Sequence, residues 1–120
     1  MNRELQHFFN NVTLRLSLYD WCLRFVPGSS EGYCWRLSKI IDLGEECKEP
    51  KELLLHEIAH AITCRFCNNQ HNFTFWNVFD DLIRKFLPGH KLTKSMASFR
   101  SFACEGIYSV VYEVRPKTAD

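Results

Sequence analysis

The chain has 120 residues, 46% of them hydrophobic and 14% aromatic, with a formal net charge of +1. That length fits a single domain over residues 1–120, and that composition can fill a core without disulfide staples. The balanced charge gives no electrostatic drive toward nucleic acid or a membrane surface, and no apolar run approaches the length of a membrane span.

The opening residues, Met1-Asn2-Arg3-Glu4-Leu5-Gln6-His7, lack the apolar stretch of a secretory signal, so a cytoplasmic location is expected. The six cysteines, Cys22, Cys34, Cys47, Cys64, Cys67 and Cys104, are then expected as reduced thiols rather than disulfides. The sequons at Asn11 and Asn72 read as chance matches in that setting.

In chain order, residues 3–10 are predicted to start a short helix. Leu14 to Val26 reads as either a helix end or a strand, until Pro27-Gly28-Ser29-Ser30 turns the chain. Gly32-Tyr33-Cys34-Trp35 looks extended, and Ser38 to Leu43 is a short strand closed by Gly44. Together these predict a small antiparallel meander. Pro50 then opens a helix, where its missing N–H is no loss. The helix runs to about Phe66, and Asn68-Asn69-Gln70 breaks it. A second helix spans Phe73 to Phe86, because Phe75, Trp76, Phe79, Leu82, Ile83 and Phe86 recur at three- and four-residue steps. Leu87-Pro88-Gly89 ends it. A third helix is expected over residues 93–103 and a strand from Ile107 to Val114. The fold class is α+β: a small antiparallel sheet packed on the helix that carries His56 and on a second site helix.

The chemistry concentrates in the Pro50 helix, as His56-Glu57-Ile58-Ala59-His60. Histidines four apart lie on one helix face, one turn from each other. Two neutral imidazoles so placed reach one tetrahedral zinc at about 2.0–2.1 Å. Glu57 follows the first histidine and points beside the metal, where it can take a proton from a zinc-bound water as that water attacks a carbonyl. The bland alternative is a pair of hydrogen-bonded histidines that match the pattern by chance. Against it, the motif sits between Leu53-Leu54-Leu55 and Ala61-Ile62, where burying His-Glu-His without a partner is costly.

A catalytic zinc site ordinarily has three protein ligands and one open position. His71, Asp80 and Asp81 are the candidates for the third. His71 follows the break, so the chain can turn back to the metal, and it is preferred. Asp80, twenty residues after His60, is the alternative, although Asp80-Asp81 also fits the polar face of an amphipathic helix.

Leu55-His56-Glu57-Ile58-Ala59-His60-Ala61, followed by His71-Asn72-Phe73-Thr74-Phe75-Trp76, resembles the SprT-like zinc metallopeptidase domain. That family shows H-E-x-x-H-A and, after a variable loop, H-G-x-x-F or H-G-x-x-W. Upstream, Trp21 to Phe25, Gly32-Tyr33-Cys34 and Lys39 to Leu43 are also similar, so the resemblance covers roughly residues 18–87. It implies His56, His60 and His71 as zinc ligands and Glu57 as the catalytic base. It also implies that strand 39–43 lies beside the cleft, with an edge that could pair with an extended peptide. Asn72 stands where the family usually has glycine. Many relatives add a zinc ribbon or a DNA-binding extension; neither occurs in these residues. Nucleic acid as a partner therefore follows from the resemblance only and has no support in the charge.

Other features have simpler readings. Cys64-x-x-Cys67 has no second pair to complete a metal site, and both thiols suit packing at a helix end. Cys22 and Cys34 are expected to face each other across strands. Lys85, His90, Lys91, Lys94 and Arg100 read as a solvated basic surface. Tyr108 and Tyr112 could donate to an oxyanion but suit strand packing better. The leading expectation is a zinc-dependent endopeptidase acting on a protein or peptide substrate. Its rivals are a zinc-stabilised binding or adaptor module and a zinc hydrolase of a non-peptide bond.

Overall fold

Among the described residues seven elements follow one another: α1 (Asn2–Arg15), β1 (Cys22–Val26), β2 (Gly32–Trp35), β3 (Ile40–Gly44), α2 (Pro50–Cys67), α3 (Phe73–Phe86) and α4 (Lys94–Ala103). They come from a computed structural model that describes residues 2–67 and 71–103. The fold is α+β, as the sequence predicts, with four helices and a three-stranded sheet among the described residues. The chain divides into two compact units at Ala61/Ile62, inside α2. No helix among the described residues is long and apolar enough to cross a membrane.

In the first unit, α1 runs further than the predicted 3–10. Leu5, Phe9 and Val12 recur at steps of four and three and are all buried, so one apolar face continues past Asn10-Asn11. Thr13 turns its hydroxyl back onto the Phe9 carbonyl at 2.8 Å. The helix ends in a Schellman arrangement. Leu18 N–H donates to Thr13 O at 2.8 Å and Ser17 N–H to Leu14 O at 3.2 Å. Ser17 takes the left-handed position at φ 60.

The sheet has the order β1-β3-β2. β2 pairs antiparallel with β3, with Gly32 opposite Leu43 and Trp35 opposite Ile40. β1 pairs with β3 in parallel, with Cys22 opposite Ile40 and Val26 opposite Gly44. The sheet is therefore mixed, where the sequence suggested a purely antiparallel meander. The link between β1 and β2 must cross the end of β3, and Gly44 makes that crossing possible. A Cβ there would stand 2.2 Å from Ser29 O and 2.9 Å from Glu31 N. In its absence, Gly44 N–H reaches Glu31 O at 2.8 Å, Glu45 N–H reaches Val26 O at 3.0 Å and Glu46 N–H reaches Ser29 O at 2.9 Å.

This order corrects two expectations. The strand spanning 39–43 is central, with partners on both sides, so it offers no edge to a peptide; among the described residues the outer strands are β1 and β2. Cys22 and Cys34 do not face each other, because β3 lies between their strands. Cys22 is exposed opposite Ile40, and Cys34 is buried opposite Ile41. The inner face of the sheet carries Cys34, Ile41 and Leu43, and the outer face carries Arg24, Tyr33, Trp35 and Asp42.

Pro50 is the first residue of α2, as predicted, and Glu49 O accepts the first helical bond from Leu53 N–H at 3.0 Å. Every residue from Leu54 to Ala61 is buried. A helix buried on all sides has no polar stripe, so apolar periodicity is weak there and the motif itself is the clearer signal. Near its start, Lys51 ion-pairs with Glu4 of α1 at 2.9 Å and lies 5.3 Å above the Phe8 ring.

The second unit contains the end of α2 and helices α3 and α4. Asn72 caps α3: its backbone is extended and its side chain accepts from Phe75 N–H at 3.1 Å. Phe75, Trp76, Phe79, Leu82 and Ile83 form the predicted buried face, while Phe86 is half-buried. The Phe75 and Trp76 rings meet edge to face at 4.9 Å, and those of Trp76 and Phe79 at 5.5 Å. Leu87 N–H closes α3 on Ile83 O at 2.8 Å. Thr93 starts α4, with its hydroxyl accepting from Met96 N–H at 3.3 Å.

Candidate metal centre

His56, Glu57 and His60 sit in the buried middle of α2, at 7%, 5% and 6% exposure. The four-residue step places both imidazoles on one face, and the rings meet edge to face with centroids 5.0 Å apart. Nδ1 of each ring is buried and makes no hydrogen bond within the described residues; each residue keeps other contacts.

His71 is positioned from α3. Asn72 caps that helix, which fixes where the chain enters it. One turn inside, Trp76 donates its indole N–H to the His71 carbonyl at 3.1 Å. The His71 ring packs edge-on against Phe75 at 4.8 Å and beside Trp76 at 5.8 Å. Asparagine at position 72 does not strain this turn. Residue 72 has φ −94, a conformation open to any residue, and its side chain supplies the cap.

One ring nitrogen from each of His56, His60 and His71 lies within 4.8 Å of the others. The three histidines could hold one metal ion. Three imidazole nitrogens with no carboxylate among them are a donor set that zinc and other borderline metals accept. Burial holds His71 below the ordinary imidazole value, which favours the neutral ring that a metal requires. Asp80 and Asp81 are not in this cluster. Both ion-pair with Arg84, the Asp80 contact at 2.6 Å.

Glu57 lies on α2 beside the first histidine. Burial pushes its carboxyl up to about 8, because desolvation penalises the charged form. A nearby cation would act in the opposite direction. Its side chain stands against β2 at Gly32, the one residue of that strand with no side chain to occupy the space. Sequence reasoning did not single out either Gly32 or the indole N–H of Trp76. Each meets a residue that the sequence does mark, Glu57 or His71, through a contact that the sequence does not show.

The remaining candidates separate from this cluster. Of Cys64-x-x-Cys67, only the Cys64 side chain is described, and it is half-buried. Lys85, Lys91 and Lys94 are exposed. Cys104, Tyr108, Tyr112, the strand expected over 107–114 and the Asn68-Asn69-Gln70 break lie outside the described residues.

Comparisons with protein families, with curated proteins and with solved structures find no match to this chain.

Proposed function

We propose that the chain is a zinc-dependent endopeptidase acting on a protein or peptide substrate. The observation that carries this reading is the grouping of three imidazole donors within 4.8 Å, with Glu57 next in sequence to the first of them. His56, His60 and His71 would hold the metal and leave one position open. Zinc there would supply a Lewis acid, which acidifies water and polarises a carbonyl. Glu57 serves as the base: its carboxylate takes a proton from the attacking water and passes it to the amine nitrogen as the C–N bond breaks. The substrate binds as an extended chain. β2 is an outer strand and its Gly32 lies beside Glu57, so a peptide added to that edge would pass the base.

The test compares wild type, Glu57→Gln and His60→Ala for zinc content, melting temperature and cleavage of an unfolded protein. Glu57→Gln should keep zinc and fold but lose hydrolysis by about 10²–10⁴, the usual cost of a missing general base. His60→Ala should lose zinc. Equal cleavage by wild type and Glu57→Gln would sink the mechanism.

One observation favours the second reading, a zinc-stabilised binding or adaptor module. The three motif side chains are at most 7% exposed, which leaves little surface for a substrate to reach. A wild-type protein that holds zinc and cleaves nothing, with candidate partners or nucleic acid added, would put that reading ahead.

A further inference from the structure

We propose that Gly32 is a positioning residue for Glu57, and that the missing side chain at 32 is the space in which the Glu57 carboxylate stands. The functional half of this inference rests on Glu57 being the base of the proposed reaction; the structural half does not.

Gly32 opens β2 opposite Leu43. Strand alternation puts it on the same face as Cys34, which is buried, while Tyr33 and Trp35 are exposed on the other face. Its backbone does not need glycine, since its φ lies outside the left-handed region. The need is steric. A Cβ at residue 32 would stand 3.0 Å from Glu57 Cγ, 3.2 Å from Glu57 Oε2 and 3.2 Å from Leu53 Cγ. All three are closer than the 3.4–4 Å of ordinary van der Waals contact.

Leu53 and Glu57 are one turn apart on the same face of α2. A methyl group at residue 32 would therefore wedge between them. Glu57 could not give way toward Leu53, because Leu53 is pressed by the same group. Its carboxylate would have to swing away from β2, inside a helix segment that is buried throughout. A base displaced by a few tenths of an ångström no longer points at the same proton, and rates depend steeply on such placement.

The experiment is a double-mutant cycle on the full chain, read by melting temperature, with Gly32→Ala made in the wild-type and Glu57→Ala backgrounds. Glu57→Ala removes both contacting Glu57 atoms. The expected result is that Gly32→Ala lowers the melting temperature by several degrees in wild type and by much less in Glu57→Ala. An equal loss in both backgrounds would overturn the proposal, because Gly32 would then serve the strand and not Glu57. If Gly32→Ala alone does not fold, recovery of folding in the double variant supports the proposal, and continued failure overturns it.

A second arm reads zinc content and peptide cleavage. Gly32→Ala should keep zinc and KM while kcat falls about 10-fold. Adding Leu53→Ala, which removes the other wall of the wedge, should restore part of kcat. A loss shared equally by KM and zinc content would overturn the positioning role. If wild type cleaves nothing, the peptidase reading fails, and the stability cycle alone decides whether Gly32 makes room for Glu57.

Discussion

Asp42 on the central strand takes two hydrogen bonds from the Arg24 guanidinium on β1, at 2.6 Å from Nε and 3.0 Å from Nη2. The two residues are register partners, so the fork and the carboxylate meet side by side. From the other outer strand, Trp35 donates its indole N–H to the same carboxylate at 2.7 Å. One acid thus ties all three strands together on the outer face of the sheet. The Arg24 hydrogen bonds, and then that from Trp35, hold Asp42 below the usual carboxylate value. A depressed pKa stabilises the fold above the ordinary value of about 3.9, and the benefit is lost as pH falls through the lower folded-state value. Melting temperature against pH should therefore show wild type above Asp42→Asn by a constant margin near neutrality. The margin should close below about pH 4. A margin that persists unchanged to pH 2 would mean that the carboxylate charge contributes nothing.

Gly44→Ala should be among the most damaging single-methyl additions in the first unit. The added carbon would meet backbone atoms of Ser29 and Glu31, not the flexible end of a side chain. Either the link between β1 and β2 shifts and gives up its hydrogen bonds, or β3 does. Overpacking of this kind costs about 1–3 kcal/mol, and rigid backbone puts this site at the upper end. Denaturant unfolding would measure it; a loss under about 0.5 kcal/mol, the scale of a neutral surface change, would show that the crossing has room for a methyl group.

Ser17→Gly should stabilise. Ser17 holds φ 60 at the end of α1, a position that favours glycine. Relief of that strain exceeds the extra freedom glycine gains in the unfolded chain, for a net gain of about 0.5 kcal/mol. Among the described residues the lost hydroxyl meets the exposed Tyr19 hydroxyl. A lower melting temperature in Ser17→Gly would contradict the assignment of that cap.

These residues show what the sequence could and could not disclose. α2 and α3 were legible because their signals are local: Pro50 at a start, an apolar 3–4 spacing, and Leu87-Pro88-Gly89 at an end. The length of α1 is harder to see, because Asn10-Asn11, both poor helix formers, interrupt a pattern that Phe9 and Val12 carry through. Strand order is not legible in this sequence, because neighbours along the chain are not neighbours in the sheet. The insertion of β3 between β1 and β2 depends on a close approach at Gly44, and a glycine in sequence does not say what passes over it. The histidine pair was legible from its spacing. The nearness of His71 required the turn made by Asn72, which sequence suggests but does not aim.

Trp76→Phe should weaken metal binding without unfolding the chain. Phenylalanine keeps an aromatic ring beside His71 but loses the indole N–H that holds the His71 carbonyl. Partners that orient a ligand without touching the metal typically change affinity by about 10–100-fold. The prediction is a zinc affinity about 10-fold lower by chelator competition, with retained helix content. Unchanged affinity would mean that His71 is held by its ring contacts or is not a ligand.

The sharpest test of the site compares His71→Ala with Asp80→Asn, the two candidates the sequence left open for the third ligand. The Asp80 side chain is 7% exposed and bound to Arg84 at 2.6 Å. Its neutralisation removes a charge-assisted hydrogen bond inside α3 and should cost about 1–3 kcal/mol of stability. It should leave zinc affinity within a few-fold, because the carboxylate is already engaged by Arg84 and lies outside the donor cluster. His71→Ala should do the reverse. The side chain is half-buried, so truncation should be tolerated by the metal-free fold. A metal left with two imidazoles has lost a third of its protein donors, and affinity should fall by at least about 100-fold, or 2.7 kcal/mol. Chelator competition and thermal melting, each with and without added zinc, measure both effects. Wild type and Asp80→Asn should gain similar stability from zinc, because binding to the folded state alone raises it by mass action. His71→Ala should gain almost none. The opposite pattern, with Asp80→Asn losing the metal and His71→Ala keeping it, would remove His71 from the site and with it the proposed ligand set.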